Sequence, residues 1–373
     1  MINTTVSAIL AAFFAWASVA HADVPSPALD RKLDTLYDTV SKKFEANPWF
    51  KNAANPDLYS NGSQTRRMNP EFSMPTRDDF KSYMKSYCVL MESPYRKRIS
   101  RPSRYSIVDF TENATFRRVY VYDVPNQEFI HNTWTAHATN TSASVYLTLK
   151  DTSSGYSNPV LLFNDDLNAS FFSNDSGSNQ STIGMTISNP STYWSSSFEC
   201  KALRMNGVDG SLNSKILSRA IVVHAFDYQA ADIRYYDHLP ASWGCIMIER
   251  TGFYKGVADA PIADTVIKDM TGGPILLYHE RLKPEVNERV HQEQLAVYAD
   301  LQLSLDRNVS GFAAQYHWSP EQTEKFGKEL SQKLKAAYLD PLEQTYQYFK
   351  TPSKYVGKEP KSDAACIQAL HLK

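Results

Sequence analysis

Residues 219–226 read Arg219-Ala-Ile-Val-Val-His224-Ala-Phe226, and residues 242–249 read Ser242-Trp-Gly-Cys245-Ile-Met-Ile-Glu249. Each is a short apolar, β-branched run of the kind that forms a strand. One delivers a histidine near its end, and the other begins on a cysteine just after a glycine-containing turn. Working outward, the same texture recurs in YSIVDF from Tyr105, FRRVYVYDV from Phe116, SVYLTL from Ser144, PVLLF from Pro159, TIGMTI from Thr182 and PILLY from Pro274. Strands at this spacing with polar loops between them predict an antiparallel β domain.

The flanks differ. Leu29, Leu33, Leu36, Tyr37, Val40 and Phe44 recur at helical spacing between about 25 and 47, and a second helix is expected from Thr76 through Phe80, Tyr83, Met84 and Tyr87. Residues 48–76, rich in Asn, Pro, Ser and Gly, read as loop, and Ser93–Pro102 is a basic connector. Helical texture returns over Val286–Leu305 and Pro320–Phe349, interrupted at Pro341. The expected architecture is therefore α+β, mainly β: an antiparallel β-sandwich flanked by N- and C-terminal helical segments. Its divisions fall at 1–22, 23–102, 103–282 and 283–373.

With 39 Lys+Arg against 40 Asp+Glu the net charge is -1, so neither a general basic field for nucleic acid nor a polyacidic tail is present. A 42% hydrophobic, 21% charged composition over 373 residues is that of a globular protein of about two domains. Residues 1–22 carry an apolar stretch from Val6 to Val19 closing on Ala20-His21-Ala22, the pattern of a cleaved signal peptide, although no Lys or Arg precedes it. No other stretch approaches a membrane span, so a soluble, exported chain is expected from about Asp23. No Cys follows the cleavage point to carry a lipid.

The chemistry sits in the two opening segments. A cysteine nucleophile needs a base to generate thiolate and a turn whose backbone N–H groups face the developing oxyanion. Gly244 lets the backbone approach a reacting carbonyl, and a base at the end of a strand, as His224 is, is rigidly placed. By residue type alone, a buried Cys and a core His in neighbouring strands is the commoner arrangement.

Seven short matches in chain order change that weighting: Val108-Asp109-Phe110, Arg118-Val-Tyr-Val121, Phe172-Ser173-Asn174, Ser178-Asn-Gln-Ser181-Thr-Ile-Gly184, Leu203-Arg204-Met-Asn206-Gly207, Ile221-Val-Val-His224 and Ser242-Trp-Gly-Cys245. Over about 105–281 the chain resembles the murein L,D-transpeptidase catalytic domain, the YkuD-like family, and especially its divergent second branch. The resemblance implies a YkuD-like catalytic domain with Cys245 as nucleophile and His224 as the group that takes and returns the proton. It implies attack after stem position three of peptidoglycan, release of the terminal D-alanine, and capture of the thioester by a side-chain amine of a second stem. Partners are thus donor and acceptor stem peptides in the periplasm or cell-wall space. No metal or organic cofactor is required, and carbapenems are expected to acylate the cysteine.

Backbone N–H groups of Trp243, Gly244 and Cys245 are the implied oxyanion donors, while Ser242 either orients the loop or His224 or simply forms the turn. Ser173, Asn174, Ser181 and Gly184 are expected on one side of the substrate groove, with Arg204 and Asn206 on another. Arg204 either receives a substrate carboxylate or forms a structural salt bridge, and His238 either borders the site or decorates a surface loop. The common branch of the family differs at three positions, where this chain has Ala225 for Gly, Trp243 for His and Met247 for Arg. The last substitution argues against borrowing substrate contacts from that branch.

Four cysteines are present, with no CxxC spacing. Cys88 and Cys366 lie in the two flanks and are expected to pair in an oxidising compartment. Cys200 is expected buried or paired with one of them, and Cys245 free. Two alternatives use the same residues. Water could capture the thioester, giving an L,D-carboxypeptidase or endopeptidase, or the chain could be an inactive peptidoglycan-binding module. Papain-like and NlpC-type peptidases place Cys before His, and the sortase strand signature is missing.

Overall fold

A computed structural model describes residues 26–48, 50, 72–114, 116–151, 156–165, 168–226, 242–250, 252–254, 257–260 and 262–372. The expected signal peptide and His238 lie outside the described residues.

Helix α1 (Pro27–Ala46) starts where the Ser26 side chain accepts from Leu29 N–H and Pro27 occupies the first turn. Its stripe of Leu29, Leu33, Leu36, Val40 and Phe44 is buried. Helix α2 (Arg77–Glu92) is capped by Thr76, with Asp78 and Asp79 in its positive first turn, and buries Phe80, Tyr83, Met84, Tyr87 and Cys88. Both stripes face the same core as the central sheet, so these helices complete the catalytic region's interior.

The strands are β1 (Arg104–Asp109), β2 (Val119–Asp123), β3 (Glu128–Thr133), β4 (Val145–Asp151), β5 (Tyr156–Phe163), β6 (Gly184–Ser188), β7 (Tyr193–Ser195), β8 (Cys200–Gly207), β9 (Val222–Phe226), β10 (Ile246–Glu249), β11 (Gly252–Tyr254), β12 (Val257–Ala260) and β13 (Pro274–Tyr278). The main sheet runs β10-β9-β8-β6-β13-β1-β2-β3, with β7 beside β8. A bridge from Thr135, just after β3, to Ile248 on β10 brings the two edges together.

The expected antiparallel sandwich is corrected here. The sheet is mixed and nearly closed, because β1 pairs with β13 and β9 with β10 in parallel. Parallel pairs need a long crossover, and the β9–β10 connection spans 227–245, while β1 and β13 lie at opposite ends of the strand-forming region. Helix α3 (Ile262–Met270), read from sequence as part of the β region, packs against β1, β2, β8, β9 and β10 and buries Ile262, Ala263, Val266, Ile267 and Met270. Helices also contribute more residues than strands, so "mainly β" describes the centre of the chain alone.

After β13 come α4 (Pro284–Tyr316), α5 (Pro320–Leu334), a π-helical turn (Lys335–Leu339) and α6 (Asp340–Phe349). The expected interruption at Pro341 is this wide turn: proline supplies no N–H, and a π-helical turn accommodates the lost donor without ending the helix. Leu305, Leu330, Leu334, Tyr338 and Leu342 pack with Val145, Leu147, Val160 and Leu161 of the β4–β5 hairpin in a second core. The chain then returns to the main core, where α7 (Asp363–Ala369) is joined to α2 by a Cys88–Cys366 disulfide. Cys200 and Cys245 stand outside that disulfide as thiols, and Cys200 is buried. Among the described residues no helix is long and apolar enough to cross a membrane.

Candidate active site

Strands β9 and β10 carry the two expected chemical groups. Their parallel register pairs Ile246 with Val223 and Met247 with His224. One step earlier, Cys245 falls beside Val222, whose N–H points at the sulfur. Leu203, Val223, Ile246 and Ile248 are in the core, so alternation turns Val222, His224 and Cys245 to the other face. The imidazole and the sulfur thus rise from adjacent strands on one side of one sheet.

His224 is buried, and its Nδ1 lies 2.7 Å from the Ala225 carbonyl oxygen. Only a protonated Nδ1 can make that bond, which leaves the lone pair on Nε2. The ring lies flat on Phe198. Cys245 is partly exposed, and its thiol donates to the Ala220 carbonyl at 3.8 Å. Burial pushes the thiol pKa up, while the Val222 N–H and the Arg219 guanidinium pull it back. The net shift is upward, so the sulfur needs a base.

The turn before Cys245 is braced by Ser242. Its Oγ accepts from Gly244 N–H at 3.1 Å and donates to the Cys245 carbonyl at 2.7 Å. Its main chain is bound from below by the neighbouring loop: Ser242 N–H donates to His137 O, and Thr139 N–H to Ser242 O. Of the two roles open for Ser242, the geometry matches the turn former. The Gly244 N–H is thereby committed. Gly244 itself has φ +121°, and an added Cβ there would stand 3.2 Å from Arg219 Nη2 and 3.3 Å from Ile221 Cδ1. Trp243 is 78% exposed beside the nucleophile.

Several residues expected along a substrate groove are hydrogen-bonded within the fold. Asn174 is buried, with its amide donating to Ser211 O and Ser214 Oγ and accepting from Lys215 N–H. Ser181 is buried and accepts from Ala138 N–H through its hydroxyl. Gly184 has φ +102° and backs onto Asp209. Ser173 is half-exposed, and its N–H donates to Ser181 O. Asn206 is half-buried and donates to Asn189 Oδ1. These five lie in the loop 173–181, at the start of β6 and at the end of β8.

Arg204 differs. It is exposed on β8 opposite Val222, hence on the catalytic face, about 10 Å or two strand spacings from Cys245. Its guanidinium lies over Tyr193 at 4.5 Å and forms no ion pair among the described residues. Met247 is buried beside His224 on the neighbouring strand.

Sequence reading passed over Arg219. Its guanidinium donates to Ser173 O at 2.7 Å, Gln180 O at 2.6 Å and Ser178 Oγ at 3.4 Å. The signal was a lone cation opening an otherwise apolar strand run.

Compared with known proteins, the chain matches the L,D-transpeptidase catalytic domain, YkuD_2, over residues 76–267, just over half its length. That stretch runs from the cap of α2 into α3 and contains both β9 and β10. No curated protein and no solved structure matches the chain.

Proposed function

The chain belongs to the L,D-transpeptidase catalytic-domain family, and from that premise we propose that it is an exported peptidoglycan L,D-transpeptidase acting through a Cys245 thioester. The observation that carries this reading is the placement of His224, with Nδ1 committed to Ala225 O, on the strand adjacent to Cys245 and on the same face.

His224 Nε2 takes the Cys245 proton as the sulfur attacks the carbonyl carbon after stem position three. The carbonyl electrons move onto oxygen, which is met by the N–H groups of Trp243 and Cys245. Collapse breaks the C–N bond, and the imidazolium gives its proton to the departing D-alanine amine. A side-chain amine of a second stem then attacks the thioester, His224 takes its proton, and the new amide leaves as the thiol is restored. Arg204, exposed and without a carboxylate partner among the described residues, is placed to receive a stem carboxylate bidentately. The exposed Trp243 indole offers the bound stem an apolar face.

The test is mass spectrometry of muropeptides after incubation with disaccharide-tetrapeptide. Cross-linked dimers from the wild type, and none from a folded Cys245→Ala variant, are the expected outcome. Tripeptides without dimers would make the enzyme a hydrolase, and dimers from Cys245→Ala would remove the nucleophile assignment.

A further inference from the structure

Arg219 closes a short helical turn, with its N–H on Lys215 O at 2.8 Å, and is followed by Ala220, which has φ +54°. That left-handed residue turns the chain into β9 and presents its carbonyl to the Cys245 thiol. The Arg219 side chain leaves the same turn, presses against Gly244 and ends on the loop 173–180. One residue therefore touches the segment before the base strand, the nucleophile turn and the groove loop.

All three acceptors of the guanidinium are neutral: two carbonyls and a hydroxyl. A half-buried cation without a counter-ion is costly unless something returns the cost. Among the described residues, the titratable groups around this turn are His224 on β9, Tyr348 on α6, the Asp175–Lys215 pair and Cys245 itself. Tyr348 is held protonated by burial, and exposed Asp175 already has Lys215 at 2.7 Å. Besides Asp175, the anion that acts on Arg219 among the described residues is the one that forms when Cys245 loses its proton.

We propose that Arg219 is a positioning residue of this site, which holds the loop 173–180 against the Gly244–Cys245 turn and supplies the positive charge beside the thiolate. The proposal rests on the reading of Cys245 as nucleophile. It agrees with the close packing at Gly244, where the φ of +121° already disfavours a side chain and an added Cβ would crowd the guanidinium and Ile221. The direction in which Arg219 shifts the thiol agrees with it.

The experiment is the pH dependence of Cys245 alkylation by iodoacetamide in the full chain with its disulfide intact, with Cys245→Ala as the blank for other thiols. In Arg219→Met the midpoint is expected to rise by about one pH unit, a tenfold loss of thiolate below it. Arg219→Lys is expected to keep the midpoint near wild type while acylation by disaccharide-tetrapeptide slows at least tenfold, because one ammonium cannot replace a planar fork on three acceptors. An unchanged midpoint in folded Arg219→Met overturns the proposal. If that variant does not fold, Arg219→Lys decides: a midpoint shifted up by a unit, or acylation at the wild-type rate, overturns it. Alkylation does not depend on the stem-peptide substrate. A midpoint that rises in Arg219→Met while the wild type makes no dimers would therefore retire the proposed reaction and leave the role of Arg219 standing.

Discussion

His224 lies flat on Phe198, with ring centroids 3.8 Å apart and planes 6° from parallel. Together with the bond from Nδ1 to Ala225 O, this stacking fixes both the tilt and the rotation of the imidazole. On the proposed reading, a base so held is set in orientation before the reaction begins.

Phe198→Ala should therefore cost activity more than stability. Phe198 is half-buried at the rim of the main core, so its truncation is expected to cost under about 2 kcal/mol in a urea melt. Losing the stacked face should lower kcat/KM by roughly tenfold to a hundredfold. Full activity in Phe198→Ala would mean that the Nδ1 bond alone holds the ring.

A carbapenem presents a strained carbonyl to the same sulfur. Intact-mass analysis should show a single adduct on the wild type and none on Cys245→Ala, because Cys200 is buried and the other two cysteines are joined. An unmodified wild type would count against a competent Cys245–His224 pair.

The Cys88–Cys366 disulfide links positions 278 residues apart and ties α7 to α2. Replacing both cysteines with serine should lower stability by roughly 2–5 kcal/mol, most of it through a looser unfolded chain. Activity well below the melting midpoint should be kept, since the bond joins the flanking helices rather than β9 and β10. Equal urea midpoints for the two proteins would refute this.

Asp109 is buried beneath Tyr83 and Thr111, and desolvation pushes its carboxyl up to about 7. Between its ordinary value of 3.8 and about 7, the folded chain holds a proton that the unfolded chain has released. The stability from this is complete below pH about 4 and is lost as pH rises through 7, a change on the order of 4 kcal/mol. His279, depressed to about 3 by burial, has the opposite slope: its contribution is present above 6.5 and lost as pH falls. Asp109→Asn keeps a neutral acceptor at every pH and leaves His279 untouched. The difference in unfolding free energy between Asp109→Asn and wild type should therefore widen from pH 5 to pH 8, and parallel profiles would show that Asp109 does not titrate there.

The strand runs around His224 and Cys245 and the helical stripes of α1 and α2 were legible from local pattern, because alternation and helical spacing report which side of an element meets a core, whereas the pairing of Cys88 with Cys366 was expected from an oxidising compartment and their place in the two flanks. Helix α3 was missed although Ile262, Ala263, Val266, Ile267 and Met270 repeat at helical spacing, because it is one short element among many strands. The groove residues were the least legible. Asn174 and Ser181 look like ligand contacts in a polar loop, and their hydrogen bonds go to Ser211, Ser214, Lys215 and Ala138, partners that lie 37 to 43 residues away.

What the sequence determined by itself is the pair of chemical groups and the strands that carry them, since both follow from residue identity and period along the chain. The parallel pairing of β9 with β10, the closing of the sheet through Thr135 and Ile248, and the seat of Arg219 against Gly244 were decided by tertiary structure. Each depends on which distant segments share a hydrogen-bond ladder or a buried charge, and no local pattern in a single chain records that choice.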